Sequence, residues 1–164
     1  MEDLSQWFRA QLTTSAEAFI WAVEQIPTER LLIAPPEKLG EWSVARHVFH
    51  LLSYERRLAL PNMRCWLGES FERDNDYQEE AEWAKGHDLA TFLAEFRQLK
   101  TEEIALLKEY KEEDWERVGA SSVWPDVSLR WVVTKTLQHT FAHNNDVLAI
   151  GLFWNFFAEQ EALK

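Results

Sequence analysis

From Ser128 to about Phe157 the chain carries Val132, Thr136, His139, His143, Val147, Ile150 and Trp154 at steps of three and four residues. At 3.6 residues per turn, that series occupies one face of a helix. Two histidines interrupt an otherwise apolar stripe, and their spacing of four puts both imidazoles on that face, one turn apart. Unpaired polar groups inside a core are costly. A metal ion is one partner that satisfies both rings, so the pair reads as two of three protein ligands inside a helical bundle.

The remainder of the chain supplies the bundle. Asp3 to Gln25 has Leu4, Trp7, Phe8, Leu12, Ala18, Ile20, Trp21 and Val23 at mostly helical spacing, with no proline or glycine, and Ile26-Pro27 ends it. A connector with Pro35, Pro36 and Gly40 follows. Ser43 is a good N-cap for a second helix, and Trp42 ahead of it can pack back as a hydrophobic staple. That helix runs from Val44 to near Leu60, with Val44, Val48, Leu51, Leu52 and Leu58 as its stripe, and Pro61 kinks or stops it. Asn62 to His87, with its acidic run Glu69 to Glu82, reads as a long loop with helical pieces. His87 there takes a capping or surface role. A third helix spans Asp88 to about Tyr110, a connector follows through Val127, and Ser128 caps the fourth. The expected fold is therefore an all-α four-helix bundle with a long loop between helices 2 and 3, residues 1–164 forming one domain. Trp7, Trp21, Trp42, Trp131 and Trp154 are expected in the core, whereas Trp66, Trp83, Trp115 and Trp124 fall in loops or at ends.

Charge and cysteine count narrow the function. With 28 acidic and 17 basic residues the net charge is −11, which opposes nucleic-acid binding and docking on an anionic membrane. Cys65 stands alone, so neither an intrachain disulfide nor a cysteine-based zinc site can form, and no motif marks it as a nucleophile. The opening MEDLSQWFRA lacks a signal-peptide pattern and no apolar run reaches the roughly 20 residues of a membrane span, so the expected location is cytoplasmic.

Two histidines offer one edge of a coordination sphere, and a third ligand must come from another helix. The second helix provides His47 or His50. On its wheel His47 lies nearer the apolar stripe, so periodicity alone selects His47. The pair is not a metalloprotease H-E-x-x-H, because Thr140 stands where the glutamate base would be. A purely structural alternative satisfies the rings with Asp146, Tyr54, Glu55 or backbone carbonyls. Neutral imidazole suits zinc, nickel, iron or copper alike.

Glu41-Trp42-Ser43-Val44 opening the second helix, a histidine eight residues after that tryptophan, and H-x-x-x-H in the last helix together resemble the DinB/YfiT-like superfamily. The resemblance follows segment order over nearly the whole chain, and its specific part is confined to Glu41–Arg56 and Leu137–Leu148. It implies a four-helix bundle holding a metal through three histidines, with His50 the helix-two ligand and His139 and His143 the helix-four pair. His47 is then a support for a ligand ring, a core histidine, or an acid/base in the cleft. Asp146 is left to orient a ligand ring, to accept from bound water, or to make only a surface contact.

The resemblance also implies a reaction class. Relatives include thiol-dependent S-transferases and isomerases that use low-molecular-weight thiols, and the superfamily is also associated with metal-dependent hydrolysis. The expected function is thus a metal-dependent enzyme acting on a small-molecule substrate. It would use a divalent transition metal (zinc, nickel or iron) and a low-molecular-weight thiol. A hydrolase using metal-bound hydroxide is the alternative, with His47, Asp146 and Tyr54 as the candidate catalytic groups. A non-catalytic, stress-related metal-binding bundle is a third reading. Aromatic-rich helices and the habits of relatives add the expectation of a homodimer.

Overall fold

The computed structural model describes residues 3–163, and every long element among them is a helix. Each long helix begins where the local chemistry requires. Asp3 accepts the Ser5 N–H ahead of α1 (Leu4–Glu24). The Ser43 hydroxyl accepts the Arg46 N–H ahead of α2 (Val44–Tyr54). A π-helical turn, Glu55–Ala59, carries α2 straight into α3 (Leu60–Cys65). The long loop then holds only the short α4 (Glu79–Trp83). Asp88 caps α5 (Leu89–Leu106) through the Thr91 N–H, and Ser128 caps α6 (Leu129–Ala162) through the Trp131 N–H. These side chains satisfy backbone donors that the first turn leaves without partners.

Pro61 does not stop the second helix, which continues to Cys65. Proline lacks an N–H and its ring crowds the carbonyl four residues earlier. The wider π turn just before it takes up the extra residue, and Pro61 falls in the first turn of α3, where a missing donor costs little. Asn62 adds a side-chain bond of 2.8 Å to the Leu58 carbonyl.

α1 packs against α5 and α6, and α2 packs against the same two helices, closing a four-membered ring. Its interior has two apolar clusters. Phe8, Leu12, Met63, Trp66, Leu107 and Leu129 are in one, and Phe19, Val44, Val48, Phe96, Val147 and Ile150 are in the other. A polar layer separates them. Ser15 from α1, Glu55 from the π turn, Lys100 and Glu103 from α5, and Thr136 and Thr140 from α6 are all buried there. Lys100 donates to both Glu55 and Glu103. His139 and His143 occupy the same stretch of α6, so the histidines belong to a polar belt across the bundle's middle.

Tryptophan burial is nearly the reverse of the sequence expectation. Trp66 and Trp115 are buried, whereas Trp7, Trp21 and Trp131 are exposed. On α1, Phe8 and Phe19 take the inward positions, leaving Trp7 and Trp21 at the outer edge. Trp66 is held inside by an indole N–H bond of 2.8 Å to the Arg117 carbonyl, while Trp115 packs near Phe8 and Tyr110. Among the described residues no helix is long and apolar enough to cross a membrane.

Candidate metal centre

α2 and α6 face each other across the belt and bring four histidines together. His50 and His139 approach through their Nε2 atoms at 3.2 Å, and His139 and His143 do the same at 3.2 Å. One nitrogen from each of His50, His139 and His143 lies within 4.8 Å of the others. For metal–nitrogen bonds of about 2.0–2.1 Å, simple trigonometry gives edges of about 2.9 Å at a right angle and about 3.4 Å at the tetrahedral angle. The two close separations fall between those limits, so the donor set fits a first-row divalent metal.

The opposite ends of two of the rings are also engaged. His50 Nδ1 donates to Glu79 Oε1 at 2.9 Å, which fixes its proton there and leaves a lone pair on Nε2. His143 Nδ1 lies 2.8 Å from Nδ1 of His47. Trp42 sits against three of the rings, parallel to His143 at 6.0 Å and within 4.9 Å and 5.5 Å of His50 and His47. Trp42 thus occupies the staple position, with His47 as its partner. The His139 ring meets the edge of Tyr54 at 4.3 Å, while its Nδ1 is buried without a partner among the described residues.

Burial keeps His47, His139 and His143 neutral. It lowers His47 to about 4, with the charge of His50 adding to the effect. Burial followed by the His50 charge lowers His139 to about 4, and burial followed by the other histidines lowers His143 to about 3. Neutral imidazole is the metal-binding form. Tyr54 is pushed upward by burial and by the charge of Glu55, so it keeps its phenolic proton. Its hydroxyl is buried near Thr136 without a well-formed bond. Asp146, raised by burial, lies 3.9 Å from His143 Nδ1 and 4.0 Å from His47 Nδ1. It stands on the Nδ1 side of His143, beyond hydrogen-bond distance.

Two cavities flank the histidines. One of about 410 Å³ is lined by His50, Ser53, Tyr54, Arg57, Tyr77 and Glu79. The other, about 340 Å³, lies against Glu41, Trp42, His47, His143 and Asp146. The loop before α4 closes over the first through Arg57, which pairs with Asp74 at 2.6 Å and covers the Tyr77 ring, and through a 2.7 Å Ser53–Tyr77 bond.

Of the residues singled out in the sequence, His50, His139 and His143 converge, His47 abuts His143, and Tyr54 walls His139. His87 is at the surface, stacked on Trp83 at 3.8 Å, while Asp88 does the capping. Cys65 is buried, its thiol pushed up by burial. Glu79 and Arg46 escaped sequence reasoning. Arg46 is a buried guanidinium that pairs with both Glu79 and Glu80, and Glu79 looked like one more charge in an acidic run.

A family model described as the DinB superfamily matches residues 11–147, a stretch that contains all four clustered histidines. No curated protein matches the chain.

Proposed function

This chain belongs to the DinB superfamily, and from that premise we propose that it is a metal-dependent enzyme acting on small molecules, of the thiol-dependent S-transferase type. His50, His139 and His143 would hold a divalent transition metal (zinc, nickel or iron) through Nε2. One observation carries this reading. Glu79 accepts the Nδ1–H of His50, so the His50 lone pair is aimed at the Nε2 atom of the half-buried His139, itself beside that of His143. A cation satisfies those atoms together. When bound, it supplies a Lewis acid that lowers the pKa of a small thiol or water.

The chain's own residues supply the remainder. Glu79 and Trp42 hold the rings in place, and the cavity beside His50 has room for a small substrate. Arg73 on its wall suits an anionic group on the substrate or the thiol. In the transfer, the sulfur bonds to an electrophilic carbon as that carbon's bond to its leaving group breaks. The leaving group departs with the electron pair, and the thiol proton is released to solvent.

Hydrolysis is the second reading, and it needs a base beside the attacking water. His47 and Asp146 stand on the Nδ1 side of His143, and Tyr54 keeps its proton. A thiol is far more acidic than water and gives up its proton to solvent without a neighbouring base, and we favour thiol transfer for that reason.

The test is elemental analysis of untagged, chelator-free protein, followed by thiol titration of a Co²⁺-loaded sample. About one equivalent of metal, lost in His50→Ala and His139→Ala, together with a new sulfur-to-cobalt charge-transfer band, is the expected result. Absence of metal even after reconstitution would sink the reading. Metal without a thiol band, combined with a large fall in melting temperature on metal removal, would point instead to a bracing role.

A further inference from the structure

The three ligand candidates differ at their far nitrogens. His50 has a carboxylate there, and His139 has no partner among the described residues. His143 has another imidazole, His47, at 2.8 Å between two Nδ1 atoms. A contact that short between two neutral rings needs one N–H and one lone pair. If His143 offers its Nε2 lone pair to a metal, its single proton must sit on Nδ1. His47 then has to accept at Nδ1 and carry its own proton on Nε2.

We propose that His47 is a positioning residue that holds His143 in the metal-binding tautomer and orientation, a role resting on the metal-centre reading above. Its placement is well built for this. His47 is buried on α2 one turn before His50, and Trp42 contacts both His47 and His143. The hydrogen bond sets the direction of the His143 ring in its plane, and the parallel indole limits its tilt. Asp146, near both Nδ1 atoms without bonding to either, adds a negative field that favours a proton between them. His50 and His143 thus reach the same end by different acceptors, an anionic carboxylate and a neutral imidazole.

The same geometry offers a competing arrangement, because His47, His143 and Asp146 form a second possible ligand set. Occupying both sets at once would require His143 to bind through both nitrogens and lose its only N–H proton. A neutral hydrogen bond accounts for the 2.8 Å contact without that loss.

Asparagine and glutamine separate the possibilities, since Asn carries its amide where His has Nδ1 and Gln carries it nearer Nε2. Zinc affinity by chelator competition should fall roughly 10–100-fold in His47→Leu and His47→Gln, and His47→Asn should recover most of the loss. Nitrogen NMR of the zinc-loaded wild type should find His143 protonated at Nδ1 and His47 at Nε2. Metal-free melting temperatures of the variants report any damage to the fold separately. Wild-type affinity in both His47→Leu and His47→Gln, or a proton on Nδ1 of His47, overturns the inference while leaving the metal centre intact. Two zinc equivalents in the wild type and one in His47→Leu would make His47 a ligand instead and overturn it too. A wild type that binds no zinc removes the metal-centre reading and this inference with it.

Discussion

Glu79 Oε1 lies 2.9 Å from His50 Nδ1, and the same oxygen accepts from Arg46 Nη2 at 2.9 Å. The carboxylate therefore has two cationic or N–H partners, and its position is fixed from both sides. Arg46 is itself held among the rings of Trp42, Phe49 and Trp83, each centroid 5.2–5.4 Å from the guanidinium carbon. That gives the five-residue α4 a purpose out of proportion to its length. It delivers one carboxylate to the back of a histidine.

Removing that carboxylate should loosen the metal. Glu79→Gln is expected to weaken zinc binding roughly 10–100-fold, measured by chelator competition. Glu80→Gln, which touches Arg46 from an exposed position, should bind zinc as the wild type does.

Acid should destabilise the metal-free protein through its histidines. His47, His139 and His143 have folded-state values of about 4, 4 and 3, below the ordinary 6.5. Below pH 6.5 the unfolded chain takes up protons that the folded chain refuses, so stability is complete above that value and falls toward pH 4. Each histidine contributes a slope of up to about 1.4 kcal/mol per pH unit. Urea titrations of metal-free protein at pH 7.5 and pH 5 check this; equal midpoints would contradict it.

The Glu55–Lys100–Glu103 trio should respond to pH in the opposite sense. Burial and the neighbouring Glu103 raise Glu55 well above the usual carboxylate range, against the pull of Lys100. Burial pulls Lys100 down, but the two carboxylates outweigh it and leave its pKa raised. Glu55 thus keeps its proton where the unfolded chain has lost it, and stability from this group falls as pH rises from the unfolded carboxylate pKa to the higher folded one. Glu55→Gln should abolish that decline and steepen the histidine slope at acid pH. Lys100→Met, which strips two buried acidic side chains of their cation, should cost about 3–5 kcal/mol by urea denaturation.

Ser43→Ala tests the entry to α2. Losing the bond to the Arg46 N–H should cost about 1 kcal/mol in chemical denaturation. Metal stoichiometry should stay unchanged, since Ser43 contributes to the helix start and to no ligand ring.

Local chemistry made much of the fold legible. The series from Val132 to Trp154 lies on the inner side of α6, with Val132, Thr136, Val147 and Ile150 buried. Ser43, Asp88 and Ser128 are caps because a short polar side chain just before an apolar periodic segment reaches back to its first turn. Pro61 misled because its usual consequence was cancelled by a π turn five residues long, whose sequence ERRLA has no distinguishing pattern. The tryptophans misled because helical spacing identifies a face without saying how wide the neighbours' cover is.

The histidines divide along the same line. The spacing of His139 and His143 is a property of one helix, so periodicity alone places both rings on one face. Between His47 and His50 periodicity selects His47, the one nearer the apolar stripe, whereas the family resemblance selects His50. A helical wheel does not record which way each ring turns, and both lie on the side of α2 that meets α6. Tertiary packing distinguished them: His50 points Nε2 at His139, and His47 meets the far nitrogen of His143. Glu79 joins His50 across 29 positions, through a helix with no cap bond and no buried residue of its own. Hydrogen bonds within a turn are written into residue order at fixed offsets, and so the chain's sequence determined its helices, their caps and the paired histidines of α6. The partners of each ring depend on how separate helices are brought together, and only the tertiary structure decided those.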